Sequence, residues 1–247
     1  MHFRVSFAPQ NGPFKMKTID INADLGEGES SDEEVLELVS SANIACGYHA
    51  GSAELMARTI GTALFRNVAI GAHPGYNDPT NFGRVELQLP IRIVKAELLY
   101  QIGALKTLAE AVGTSVKYIK PHGALYNQAC RIPELAEAVA MVAETVKLPV
   151  LALPQSELEK ACRDRVPFFR EGFADRRYDD RGQLVPRSRS DAFITDPAVA
   201  VEQALRLIEQ QGIHSICIHG DNPQAVQFAR SIRTSLERAG YQIRSFA

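Results

Sequence analysis

The chain has 247 residues, 45% of them apolar, and a formal net charge of −2. This length and composition suit one large α/β domain or two small ones, with enough apolar side chains for a sizeable core. The near-neutral balance argues against a nucleic-acid or anionic-membrane partner, and no apolar run is long enough to span a bilayer.

Residues 1–15 contain Arg4, Pro9, Asn11, Gly12 and Pro13 and no continuous apolar stretch, so they do not read as a signal peptide. They read as an unstructured N-terminal extension ahead of a single domain over 16–247. Short β-prone runs then follow at 18–23, 41–46, 68–72, 116–120, 150–153, 168–171 and 215–219, with a further short run at 241–246. Helix-prone stretches lie between them. In 53–65, Leu55, Met56, Ile60 and Leu64 fall near one face; in 92–112, Val94, Leu98, Ile102, Leu105 and Leu108 recur every three or four residues. Stretches 134–146, 198–210 and 223–239 behave alike. Pro133, Pro197 and Pro223 stand where helices should begin, and Gly113, Gly212 and Gly240 where they should end.

Repeated β-then-α order predicts parallel strands joined by crossover helices, and seven or eight such units suit a closed (β/α) barrel of about seven parallel strands. The rival is an open doubly wound sheet. No Gly-x-Gly-x-x-Gly turn follows the first strand and no Walker phosphate loop occurs, which weakens that rival. Cys46, Cys130, Cys162 and Cys217 are scattered without a CxxC pair, which points to a reducing cytoplasm and away from a cysteine zinc site.

The polar residues collect at the predicted strand ends. The first strand runs into Asp20, Asn22, Asp24 and Glu27, the second into Asn43 and His49, the third into His73. The fourth ends in Lys120 and His122, the sixth in Glu171 and Asp175, the seventh in His219 and Asp221. In a parallel barrel these ends share one face, where active sites sit. On the first strand Asp20, Asn22 and Asp24 alternate with Ile19, Ile21 and Ala23, so one side is wholly polar. Buried polar groups need partners or a cavity, so that side is expected to look into the barrel mouth. Any one of the four histidines is explained by a neutral, hydrogen-bonded imidazole; four at one rim suggest either a divalent metal or general acid–base work. No HExxH pair decides between them. Segment 175–189 is dense in charge and reads as a long loop or lid, with Arg176 nearest the strand end and best placed to clamp an anion.

Seven motifs together resemble the LamB/YcsF family, whose members are known as the ring-opening component of 5-oxoprolinase. They are Asp-Ile-Asn-Ala-Asp-Leu-Gly-Glu at 20–27, Ser-Ala-Asn-Ile-Ala-Cys-Gly-Tyr-His-Ala-Gly at 41–51, Gly-Ala-His-Pro-Gly-Tyr at 71–76 and Phe-Gly-Arg at 82–84. The others are Lys-Pro-His-Gly-Ala-Leu-Tyr-Asn at 120–127, Phe-Ala-Asp-Arg at 173–176 and His-Gly-Asp at 219–221. Two departures stand out: Gly-Glu-Gly-Glu-Ser at 26–30, a shorter loop than usual, and Val85 where a second arginine is usual.

The resemblance implies a seven-stranded barrel similar to that of glycoside hydrolases and polysaccharide deacetylases. It also implies ATP-dependent cleavage of 5-oxo-L-proline to L-glutamate with partner subunits B and C, to which the Mg²⁺-bound ATP is provisionally assigned. Opening a lactam needs an activated water, a stabilised oxyanion and a proton for the leaving nitrogen. The expected base is Asp24 or Glu27, the acid His122 or His73, and the cationic clamp Lys120 with Arg176. Asp20, Asn22, Asn43, His49, Glu171, Asp175, His219 and Asp221 complete the expected substrate-binding set. Two rivals are a stand-alone metal-dependent amidohydrolase or deacetylase and a non-catalytic carrier of a small acid.

Overall fold

The alternation on the first strand is resolved by a computed structural model, which describes residues 17–180, 182–219 and 224–247. The expected extension at 1–15 lies outside the described residues. Seven parallel strands form the ring: β1 (Lys17–Leu25), β2 (Ser41–Ala45), β3 (Ala69–His73), β4 (Val116–Ile119), β5 (Val150–Ala152), β6 (Phe168–Phe173) and β7 (Ser215–His219). Each pairs with the next, and β1 pairs with both β2 and β7, so the barrel closes. A short β8 (Tyr241–Ile243) runs parallel to Lys17–Ile19 at the opening of β1, outside the ring.

Helices connect the strands: α1 (Asp32–Leu36), α2 (Ala53–Phe65), α3 (Ile91–Ala111), α4 (Gly123–Arg131), α5 (Pro133–Val146), α6 (Glu157–Cys162), α7 (Pro197–Gln211) and α8 (Ala225–Arg238). Their ends follow local chemistry. The Ser52 hydroxyl accepts the Leu55 N–H at the start of α2, and the Asp196 carboxylate accepts that of Ala198 ahead of Pro197 in α7. Gly212 ends α7 in the left-handed conformation, as expected of that glycine. The start expected at Pro223 falls on a residue outside the described set.

The outward side of the ring is apolar. Ile19, Ile21, Ala23 and Leu25 of β1 are buried against the helical layer, together with Ile44, Ile70, Ile216 and Ile218 from other strands. The inward side is polar, unlike the branched apolar filling usual in such barrels. Asp20 accepts hydrogen bonds from the Ser40, Ser41 and Ser215 hydroxyls at the closed end. One layer higher, Asn22 donates to Ser215 Oγ (2.7 Å), Asn43 donates to Asn22 Oδ1 (2.7 Å), and the Tyr118 hydroxyl donates to Asn43 Oδ1 (2.7 Å). Gly71 makes room for that phenol: a Cβ there would stand 2.3 Å from the ring. Each of these groups is buried, so the stack is stable only because its members satisfy one another.

Candidate active site

The strand order brings the open ends of β1, β3, β4 and β7 to one rim, around a cavity of about 660 Å³. Asp24, His73, Lys120, His122, Arg176 and His219 line it. Asp20, Asn22, Asn43, Glu171 and Asp175 stand behind them as buried partners, while Asp221 lies outside the described residues. The cavity is further lined by Arg84, Tyr126, Gln155, Phe173 and Arg187.

Lys120 is the electrostatic centre. Its Nζ donates to Asp24 Oδ1 (2.8 Å), Asn22 Oδ1 (3.2 Å) and Cys217 Sγ (3.0 Å), and lies 2.8 Å from Glu171 Oε1. The Glu171 contact is an ion pair that lacks hydrogen-bond alignment. Burial alone would lower the lysine pKa, but Asp24, Cys217 and Glu171 outweigh it and hold the ammonium well above its ordinary range. Burial would likewise raise Asp24, but His73 and Lys120 keep it well below the usual carboxylate range. Asn43 adds a hydrogen bond to Asp24 Oδ1 at 2.8 Å, so Oδ1 is held from two sides. The Tyr126 hydroxyl fixes the other oxygen of Glu171 at 2.9 Å.

A second pair sits across the mouth. His219 Nδ1 lies 3.0 Å from both Asp175 oxygens, and its ring stacks on Phe173 with centroids 5.4 Å apart. Burial would raise Asp175, but His219 holds it below its ordinary value. With Nδ1 engaged, Nε2 is the His219 nitrogen left for the cavity.

The third group is a knot of imidazoles. His73 Nδ1 lies 2.7 Å from the Lys120 carbonyl, and His122 Nε2 lies 2.9 Å from the Phe82 carbonyl. The opposite nitrogens, His73 Nε2 and His122 Nδ1, face each other at 2.9 Å. Glu27 Oε1 is 3.4 Å from His122 Nδ1, 3.9 Å from His73 Nε2 and 3.2 Å from His49 Nε2. Burial holds His49 down to about 2, so its ring is neutral. Donor atoms of Glu27, His49, His73 and His122 all fall within 4.8 Å of one another, as do those of Asp24, Cys217 and His219. Either set has the composition of a metal centre.

Segment 174–196, position 181 apart, folds over the cavity as the sequence suggested for a lid. It is anchored by Gln203 of α7, whose side-chain amide donates to the Phe173, Ala174 and Arg176 carbonyls. Antiparallel bridges join Arg176 to Phe193 and Tyr178 to Leu184. The Arg176 guanidinium donates to the Val185 (2.6 Å) and Ala192 (3.4 Å) carbonyls and packs on the Phe193 ring. Much of its donor capacity therefore braces the lid. Arg84 and Arg187 are the other guanidinium groups at the cavity wall.

Tyr126, Cys217 and Tyr118 were not among the expected site residues. Cys217 was legible: Ser215, Cys217 and His219 alternate on β7 as Asp20, Asn22 and Asp24 do on β1. Tyr126 was hidden because α4 was unanticipated.

Comparison with known proteins places these features. The sequence matches the LamB/YcsF family over residues 19–247. The structure superposes on the crystal structure of a lactam utilization protein from Thermus thermophilus with a TM-score of 0.85 and 39% identity, covering 93% of this chain and 100% of that one. More distant likenesses extend to a putative cellobiose-phosphate cleavage protein from Enterococcus faecalis (TM-score 0.63, 14% identity, 93% and 97% covered). A family 4 carbohydrate esterase from Streptomyces lividans shares the barrel at a TM-score of 0.56 and 12% identity, with 94% and 93% covered. Those two establish the architecture alone: a closed seven-stranded parallel barrel of the carbohydrate esterase type. With nearly the whole chain matched, the protein belongs to the LamB/YcsF family.

Proposed function

We propose that this chain is the ring-opening component of an ATP-dependent 5-oxoprolinase, converting 5-oxo-L-proline to L-glutamate together with partner subunits B and C. The observation that carries this reading is the likeness, over the full length of the relative, to a lactam utilization protein within the same family. ATP is consumed by the assembly, with the nucleotide and its Mg²⁺ handled by the partners.

The cavity holds side chains suited to amide cleavage. Asp24 is an ionised carboxylate whose Oδ1 is fixed by Lys120 and Asn43, which leaves Oδ2 to accept a proton from water. The expected acid was His122 or His73, yet both imidazoles direct one nitrogen at a backbone carbonyl and the other at each other. His219 fits that task better. Asp175 fixes its Nδ1–H, so Nε2 can take up a proton and deliver it to the departing nitrogen. Lys120 supplies positive charge beside the Asp24 carboxylate, and Arg84 and Arg187 lie where a substrate carboxylate or an activated carbonyl oxygen would be held. Once the tetrahedral carbon collapses, the C–N bond breaks, the nitrogen leaves as the amine of glutamate, and Asp24 and His219 exchange protonation states through solvent.

The test is glutamate formation and 5-oxoproline-dependent ATP hydrolysis in a mixture of this chain with subunits B and C. Omitting this chain, or replacing Asp24 by Asn, is expected to abolish glutamate formation. Full activity without it would refute the assignment. A second reading, a stand-alone metal-dependent amidohydrolase or deacetylase, is favoured by the imidazole knot; turnover of an amide without ATP or partners would select it.

A further inference from the structure

The imidazole knot contains a contradiction that hydrogen bonding alone does not resolve. Backbone carbonyls only accept, so His73 Nδ1 and His122 Nε2 must carry the N–H groups that meet the Lys120 and Phe82 carbonyls. In the neutral rings this leaves bare lone pairs on His73 Nε2 and His122 Nδ1, and these two atoms point at each other 2.9 Å apart. Glu27 Oε1 adds a third acceptor at 3.4 Å and 3.9 Å from them. Three electron-rich atoms converge on one spot in a water-poor setting, since all three side chains are 5% exposed or less. Such an arrangement requires a positive centre between them.

We infer that His73 Nε2, His122 Nδ1 and Glu27 Oε1 are the ligands of a divalent cation of the zinc or cobalt class. The three separations define a circle of radius about 2.0 Å, which matches the ~2.0–2.2 Å bonds that nitrogen and carboxylate ligands make to zinc. The two backbone carbonyls play the outer role usual for metal-bound histidine: each fixes the ring tautomer so that the lone pair faces the ion. His49 completes the surround. It stacks flat on His122 with centroids 3.7 Å apart, so its lone pair does not converge on the same point, and its Nε2–H instead holds Glu27 Oε1 at 3.2 Å. Glycines make this packing possible: a Cβ at Gly75 would lie 2.6 Å from His49 Nδ1, and one at Gly83 2.7 Å from His49 Cβ. His73 and His122 also line the cavity, with Asp24 Oδ2 3.4 Å from His73 Nε2, so an ion here would form part of the cavity wall. Imidazole and carboxylate donors select a borderline ion over calcium or magnesium.

The alternative positive centre is a proton, which would make His73 or His122 an imidazolium. Metal binding separates the two without any substrate, so its outcome is independent of the lactam-opening reading. Tag-free full-length protein is stripped with chelator and then titrated with Zn²⁺ and Co²⁺ by calorimetry, with Co²⁺ followed by visible absorption. One ion per chain is expected, with d–d bands of a low-coordinate nitrogen- and oxygen-ligated cobalt. His122→Ala and Glu27→Gln should each weaken binding about 100-fold, and His49→Gln about 10-fold, as for an outer partner. Stripped wild-type protein that retains its circular dichroism yet binds neither ion at roughly 100 μM, where a three-ligand site is saturated, overturns the site. Stoichiometric binding unchanged in both His122→Ala and Glu27→Gln overturns it as well.

Discussion

Lys120→Met is the sharpest probe of the barrel interior. Lys120 is 2% exposed and is the ammonium that Asp24 and Glu171 share, each carboxylate at 2.8 Å. Methionine keeps much of the stem volume but removes the charge, leaving two carboxylates buried without that cation. Breaking a buried pair in this way costs about 3–5 kcal/mol, because the stranded partner keeps its desolvation penalty. Domains hold ~5–15 kcal/mol in total, so the variant should fold with its stability markedly reduced. Adding Glu171→Gln removes one stranded charge while leaving an acceptor for Tyr126, and should recover about 1–3 kcal/mol of coupling. Urea unfolding at pH 7 followed by circular dichroism reads both, provided the m-value is constant. Lys120→Met within about 1 kcal/mol of the parent, or a double variant no more stable than the single, would refute the claim that this ammonium neutralises the core.

Asp175→Asn should leave stability nearly intact but lower turnover of the reconstituted complex by about 10²–10⁴-fold, because Asn no longer dictates the His219 tautomer; an unchanged kcat counts against His219 as the proton donor. Burial pushes the Asp20 carboxyl up to about 6 against the opposing hydroxyls of Ser215, Ser40 and Ser41, with Glu171 raising it further and Tyr118 as its other ionisable neighbour. The native state therefore holds this proton more tightly than the unfolded chain, and the stabilisation is full below about pH 4 and lost as pH rises through about 6. Relative to Asp20→Asn, the parent should lose about 3 kcal/mol across that window, read from unfolding midpoints; a flat difference would sink the assignment. Gly71→Ala should cost about 1–3 kcal/mol, since its methyl would strike the Tyr118 ring, whereas Gly61→Ala in α2, with nothing within 4 Å, should be neutral or stabilising. Equal melting temperatures for the two alanine variants would show that the phenol yields.

The barrel was legible because its strands carry two signals at once. Each is a short β-prone run followed by an amphipathic helix, and the alternation on the first strand separates an apolar outer side from a polar inner one. The seven ring strands and the helices over 53–65 and 92–112 lie within a residue or two of the expected bounds, apart from longer ends on β1 and β6. Helix α4 was not legible. Lys-Pro-His-Gly opens it, and Pro121 and Gly123 read as a turn, yet Ala124, Leu125, Gln128 and Ala129 bury one face at helical spacing. Helices α1 and α6 are too short for periodicity to register. Within the site, the sequence identified which residues gather at the rim but not their depth. Asp20 and Asp24 look equivalent in the alternation, yet one is locked among serines at the closed end while the other reaches the cavity. That distinction depends on cross-strand register, which pairs Asp20 with Ser215 and Asp24 with His219.

The depth ordering carries a further consequence for how this barrel combines stability with reactivity. Polar layers stacked along β1 pass from a fully matched level at Asp20, through the amide level at Asn22 and Asn43, to Asp24, whose Oδ2 is the first oxygen of the stack that faces the cavity. Each lower level positions the one above: Tyr118 holds Asn43, Asn43 holds Asp24 Oδ1, and Lys120 spans Asn22 and Asp24. An apolar filling would give a more forgiving core. Here the polar filling fixes the rotamer of the reactive carboxylate from beneath, so a change as distant as Tyr118→Phe is transmitted to Asp24 through one amide. That variant removes a single hydroxyl from a buried layer, and it should lower turnover of the reconstituted complex more than it lowers the unfolding midpoint.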